Sequence, residues 1–179
     1  MRKAAPGRLL LVQKLINTLD VEKHSDALAT PAATAAWLAA KGLVPVGTKI
    51  TASDRKRVIA VREALRALCL ANNGEPIDDD AVAPLNQAAA RATLRVDVGV
   101  DGGTRLAPAR AGVDGAIAQL LAIVHDALLD DTWPRLKACA AETCQWAFYD
   151  ASRNCSGAWC VMEVCGNRAK ARSFRARHG

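Results

Sequence analysis

Two cysteine pairs with identical spacing, Cys139-x4-Cys144 and Cys160-x4-Cys165, constrain this chain more than any other feature. Fifteen residues separate them. Each short pair can curl its backbone around one side of a metal ion, and the intervening segment brings the pairs together, which is what a tetrahedral zinc site needs. Disulfides are the alternative, but no export signal precedes the cysteines, and thiols inside a cell stay reduced. Four thiolates close the coordination sphere, whereas a catalytic zinc keeps one position for water. The pattern therefore predicts one structural Zn2+ bound by Cys139, Cys144, Cys160 and Cys165.

The segment after the fourth cysteine bears on the purpose of such a site. A helix is expected from Val161 through Arg177, with Val164, Ala171 and Phe174 as a narrow apolar stripe. Arg168, Arg172 and Arg175 come three, seven and ten residues after Cys165, so they form a ridge on its azimuth, flanked by Lys170 and Arg177. No acid lies between Gly166 and Gly179. Such a helix attracts phosphate, and these five residues, with Arg153 upstream, are the candidate nucleic-acid contacts.

The run WC-x4-CGNRAKAR, the earlier C-x4-C and the segment FYDASRN between them resemble the CGNR zinc finger of bacterial proteins. Upstream, NTLD at Asn17–Asp20, AAWLAAKGLVP around Trp37 and REALRAL around Leu65 are similar to the helical ABATE domain that precedes this finger. The resemblance covers essentially the whole chain and implies a stress-induced transcriptional regulator. The order knuckle, strands, knuckle, helix is similar to a treble-clef finger, with its usual C-x2-C spacing widened. Cys155 departs from the family pattern, which leaves a ligand exchange or an oxidisable thiol open.

Charge divides the same way. Residues 1–134 carry 16 Lys/Arg against 15 Asp/Glu, while residues 135–179 carry 8 against 3, so most of the net +6 sits on the cysteine-rich segment. A basic module on a near-neutral body is the expected arrangement. Apolar residues make up 51% of the chain, enough for a core, and abundant alanine favours close-packed helices. No apolar span of membrane length is expected, and a soluble cytoplasmic protein is the corresponding expectation.

Leu9, Leu10, Val12, Leu15, Ile16 and Leu19 recur at helical spacing, predicting a first helix over about 8–19. Asn17 and Asp20 at its end read as capping or turn residues, with ligand contact as the alternative. Thr30-Pro31 opens a second helix that Gly42 stops, with Trp37 in its core face. A third starts at Thr51 or Ser53 and buries Val58, Val61, Leu65, Leu68 and Cys69, while Arg55, Lys56, Arg57, Arg62 and Arg66 face solvent. Asn72-Asn73-Gly74 ends it. Asp78 to Asp80 precede a helix over about 81–92, where a helix N-terminus favours acids. Thr93–Pro108 alternates with period two around Asp101-Gly102-Gly103 and predicts a β-hairpin. Helix returns over about 113–129, with His125 near its buried face. Asp130 to Pro134 break it, placing a boundary between a helical domain, 1–131, and a finger, 132–179.

The expected class is mainly α, α+β overall. Residues 135–179 lack a core large enough to fold alone, so the finger is expected to depend on its metal and the helical body is not. Without a nucleophile–base pair, a phosphate-cradling glycine loop or an open metal position, an enzyme is not expected. DNA is the expected partner, with a small molecule or protein as effector of the helical domain. The alternative is a zinc-clipped protein-interaction module that binds no nucleic acid.

Overall fold

The computed structural model of the chain describes residues 3–77 and 79–178. Its elements are α1 (Leu9–Ile16), β1 (Leu19–Asp20), β2 (Ser25–Asp26), α2 (Pro31–Ala40), α3 (Ala52–Ala71), α4 (Asp79–Arg91), β3 (Leu94–Val98), β4 (Thr104–Pro108), α5 (Gly112–Leu129), β5 (Leu136–Ala138), β6 (Ala147–Tyr149) and α6 (Asn167–His178). A 3-10 turn at Trp133–Arg135 precedes β5, and a π turn at Met162–Gly166 precedes α6. The strands form three antiparallel pairs, β1 with β2, β3 with β4 and β5 with β6. The chain is thus mainly helical with small hairpins and a cysteine cluster at its C-terminal end, the class the sequence predicts.

Local chemistry explains the element starts. Thr30 accepts the Ala33 N–H at 3.1 Å with Pro31 at the first helical position, and Gly42 (φ +67°) stops α2. Thr51 and Asp54 form a reciprocal capping box on α3. Asp79 and Asp80 sit in the first turn of α4, two residues earlier than expected; Asp78 lies outside the described residues. Helix α1 ends at Ile16 instead of Leu19. The Thr18 hydroxyl bonds back to the Leu15 carbonyl at 2.7 Å, and Leu19–Asp20 leave the helical path to pair with Ser25–Asp26.

One buried cluster joins Val12, Leu15 and Ile16 of α1 to Leu38 of α2, Val58, Val61 and Leu65 of α3, and Ile117 and Leu120 of α5. Each such side chain contributes roughly 1.5–3 kcal/mol by leaving water. Leu136 and Ala138 of β5 and Ala147 of β6 belong to the same cluster. The core therefore runs straight through the join between residues 131 and 132.

Several expectations are corrected. Arg62 and Arg66 do not face solvent but are 2% and 3% exposed. Arg62 donates to Thr18 Oγ1 (3.1 Å), Asp26 (2.7 Å) and Glu63 (2.6 Å), and Arg66 to Glu63 (2.9 Å) and the carbonyls of Ile16 and Gln145 (both 2.8 Å). A buried guanidinium is tolerated when its donors are filled in this way. Arg55 donates to the Leu28 carbonyl at 2.6 Å, and Arg57 pairs with Asp54 and Asp114. Of the five cations assigned to a solvated face of α3, only Lys56 is exposed. His125 is exposed, not a core residue; Trp37 does pack against the core, half-buried at the edge of a cleft. Helix α5 is long and apolar enough by composition to cross a membrane, with a mean hydropathy of 1.4, contrary to the expectation of no such span. Of that span, 56% is buried inside the protein, as a core helix would be.

Candidate metal centre and basic helix

Strand alternation builds the site. Successive side chains of a strand face opposite ways, so the β5–β6 hairpin has two working faces. Leu136, Ala138, Ala147 and Tyr149 pack into the helical core, while Cys139, Trp146 and Phe148 pack around the thiol cluster. On that second side Lys137 is buried as well, 3.2 Å from Asp150 and donating to the carbonyls of Cys155 (2.5 Å) and Gly157 (3.3 Å). Asp150 also accepts from the backbone N–H groups of Ser152 (2.9 Å) and Gly157 (2.6 Å), which folds the loop between β6 and the second knuckle around one carboxylate. Burial alone would push this carboxyl up. The hydrogen bonds from Ser152, Gly157 and Lys137 outweigh it and hold it well below the usual carboxylate range.

Each knuckle is closed by its own backbone. The Cys139 N–H donates to the Trp146 carbonyl at 3.0 Å and the Cys144 N–H to the Ala141 carbonyl at 2.8 Å, after which Gln145 takes a left-handed turn (φ +49°). The second knuckle is the π turn, in which the N–H groups of Cys165 (2.9 Å) and Gly166 (3.4 Å) converge on the Val161 carbonyl. The helical run expected from Val161 thus opens as a π turn and becomes regular α-helix only at Asn167.

The Sγ atoms of Cys139, Cys144, Cys160 and Cys165 all lie within 4.8 Å of one another and all four residues are buried. Cys144 and Cys160 are 3.6 Å apart and Cys160 and Cys165 3.8 Å. Thiolates at about 2.3 Å from a tetrahedral zinc are spaced about 3.8 Å apart, so the donors fit Zn2+ in spacing and in number. Hydrogen bonds from Cys144 and Cys160 favour the Cys139 thiolate, while contacts with Cys139 and Cys144 push the Cys160 thiol up and burial pushes the Cys165 thiol up. Four thiols this close cannot all ionise unless a cation offsets their charge. Cys155 stands apart, its Sγ 3.8 Å from the Pro134 carbonyl and its backbone left-handed (φ +47°).

In the CGNR run, Cys165 is one of the four clustered thiols, Gly166 is buried against Met162 and Trp159 so that an added side chain would displace the Met162 thioether, and Asn167 Nδ2 donates to the Glu163 carbonyl at 3.1 Å. Arg168 pairs with Glu22 of the β1–β2 turn at 2.6 Å, a bond that raises its pKa. An acid from the helical body thus pairs with the first cation of the ridge. Lys170, Arg172, Arg175 and Arg177 are exposed along α6, and Arg153 is exposed in the preceding loop. The apolar stripe is not buried: Val164 is 41% and Phe174 60% exposed.

Asn17 and Asp20 are not brought together. Asp20 accepts the Lys23 N–H at 3.0 Å, whereas Asn17 reaches the Ala147 backbone. Three further residues that tie finger to body escape sequence reasoning. Gln13 donates to the Ala147 carbonyl (3.1 Å), Asn72 to those of Trp133 and Leu136 (both 2.9 Å), and Asn73 to those of Ala138 and Ala158 (both 3.0 Å). The only signal for the asparagines was an Asn-Asn-Gly helix stop.

A sequence profile described as "CGNR zinc finger" matches residues 135–178, and the ABATE profile, described as "Putative stress-induced transcription regulator", matches residues 10–141. The two overlap at residues 135–141, the strand and knuckle that serve both sides of the hairpin. No curated protein matched the chain. With the larger match spanning most of its length and four thiols gathered where the smaller one lies, the chain belongs to the ABATE family and carries a C-terminal CGNR zinc finger with one structural zinc ion.

Proposed function

We propose that the chain is a DNA-binding transcriptional regulator, in which α6 carries cations to the duplex backbone and the helical body responds to an effector. The observation that supports this is the exposure of Lys170, Arg172, Arg175 and Arg177 along a segment without acids, anchored at its start to the metal knuckle. A helix of 12 residues exposed nearly all round is marginal in water by itself. A polyanion laid along it would stabilise it. Zinc with four thiolates carries a net charge of about −2 and explains a nearby cation, but Arg172 and Arg175 lie about one and two turns beyond Arg168. A role without catalysis, inside the cell, accompanies this reading.

The exposure of Val164 and Phe174 beside the cations favours the second reading, a protein-interaction module. Anisotropy with a labelled duplex at rising salt separates them. The zinc-loaded protein should bind duplex at low salt, and Arg172→Ala with Arg175→Ala should keep its zinc while lowering the salt slope by about two, one per phosphate contact. Absence of duplex affinity at low salt, or unchanged binding by the double variant, would overturn the DNA reading in favour of the interaction module.

A further inference from the structure

A cleft of about 480 Å3 opens where α1, α2 and β6 meet, lined by Trp37, Trp146, Leu10 and three lysines, Lys3, Lys14 and Lys41. We propose that it binds a small aromatic anion, a planar ring bearing a carboxylate, and that the bound ring bears directly on the finger.

The lining argues for both halves of that ligand. Two half-buried indoles line it, the usual apolar component of a small-molecule site, and the volume falls in the range such sites occupy. Among the described residues, no acid lines the cleft and none of the three lysines has an acidic partner. Lys41 holds its ammonium over the Trp37 ring, 5.8 Å from its centroid, which keeps positive charge on one face of that indole. Three cations gathered without a counter-charge attract an anion.

The wall behind them is already set. Gln13 bonds the Ala5 N–H at 2.7 Å and the carbonyls of Lys3 and Ala147, Asn17 bonds both backbone groups of Ala147, and the Thr18 hydroxyl bonds Leu15. These amides therefore hold the shape of the cleft, and recognition falls to the indoles and ammonium groups. A preformed site of this kind loses little on binding.

Trp146 gives the cleft its reach. Its side chain packs on the thiol cluster, and its carbonyl takes the N–H of Cys139 at 3.0 Å. A ring held between Trp37 of α2 and Trp146 touches the helical body on one side and the first knuckle on the other. Binding that differs between two postures of the finger shifts their balance. This second step rests on the regulator reading; binding itself does not.

The test is calorimetry on the zinc-loaded full chain with indole-3-carboxylate, benzoate, neutral indole-3-methanol and inorganic phosphate. Expected is saturable binding of at least one aromatic carboxylate, at least tenfold tighter than the neutral analogue or phosphate. Lys14→Glu with Lys41→Glu should weaken it at least tenfold with zinc content unchanged, and Trp37→Phe should weaken it less than Trp37→Ala. Equal affinity for the neutral ring, equal affinity for phosphate, indifference to the lysine variant, or no binding by either carboxylate would each overturn the site. Duplex affinity measured separately keeps the two readings apart. Loss of DNA binding with calorimetry intact refutes the regulator, and silent calorimetry with intact DNA binding refutes the cleft.

Discussion

Asn17 offers both ends of its amide to the backbone of Ala147, donating to the carbonyl at 2.9 Å and accepting from the N–H at 2.8 Å. A side chain at the end of α1 thereby acts as the missing neighbour of an edge strand in the finger. Asn17→Ala should leave the Ala147 N–H without its partner, while the carbonyl keeps only its bond from Gln13, at a cost of about 1–3 kcal/mol. Urea unfolding of the zinc-loaded protein checks this, with zinc content measured in parallel; a loss below about 0.5 kcal/mol, the floor for one hydrogen bond, would count against the joint.

Removing the metal should loosen more than the finger. Leu136, Ala138 and Ala147 lie in the same core as Val12 and Leu15, so collapse of the knuckles withdraws packing from α1 and α3. Amide exchange after chelation should show Val12 and Leu15 losing protection together with Phe148. Full protection of α1 alongside free exchange at Phe148 would mean that body and finger melt separately.

Elemental analysis should find about one zinc per chain. Cys→Ser at 139, 144, 160 or 165 should each release it, and Cys155→Ser should retain it, since its Sγ lies against Pro134 and outside the cluster. Zinc retained in Cys144→Ser, or lost in Cys155→Ser, would refute the ligand set.

Asp150 gives the fold a dependence on acid. Its folded pKa is depressed, so its stabilising contribution is present above the unfolded carboxylate value near 3.9 and is lost as pH falls below it. Asp150→Asn leaves the Lys137 ammonium buried without its counter-charge, at a cost of about 3–5 kcal/mol at pH 7. The gap between variant and wild type should hold from pH 8 to about 5 and narrow below about pH 4. A gap that widened in acid would contradict the assignment.

What the sequence showed and what it hid divide by distance along the chain. The thiol set was legible because metal chemistry dictates paired spacing, and α2, α3 and the β3–β4 hairpin because their caps and turns lie within a few residues. Asn17 was not, because its partner lies 130 residues away. Arg62 and Arg66 read as a solvated face, since periodicity reports polarity and not what a long side chain can reach. The π turn escaped because its sequence, Met162 to Gly166, suits an α-helix equally well. The cleft was invisible because Trp37 and Trp146, far apart in sequence, line one space only in the folded chain.

The two-faced hairpin also limits portability. A graft of residues 135–178 onto another protein would carry along an apolar sheet surface, Leu136 and Ala138 beside Ala147, that its zinc does nothing to cover. It would also arrive with the carbonyls of Leu136, Ala138, Ala147 and Ala158 cut off from the amides of Gln13, Asn17, Asn72 and Asn73. Metal coordination would not by itself make the transplant soluble; the host would have to supply a matching apolar seat and its own row of amide donors.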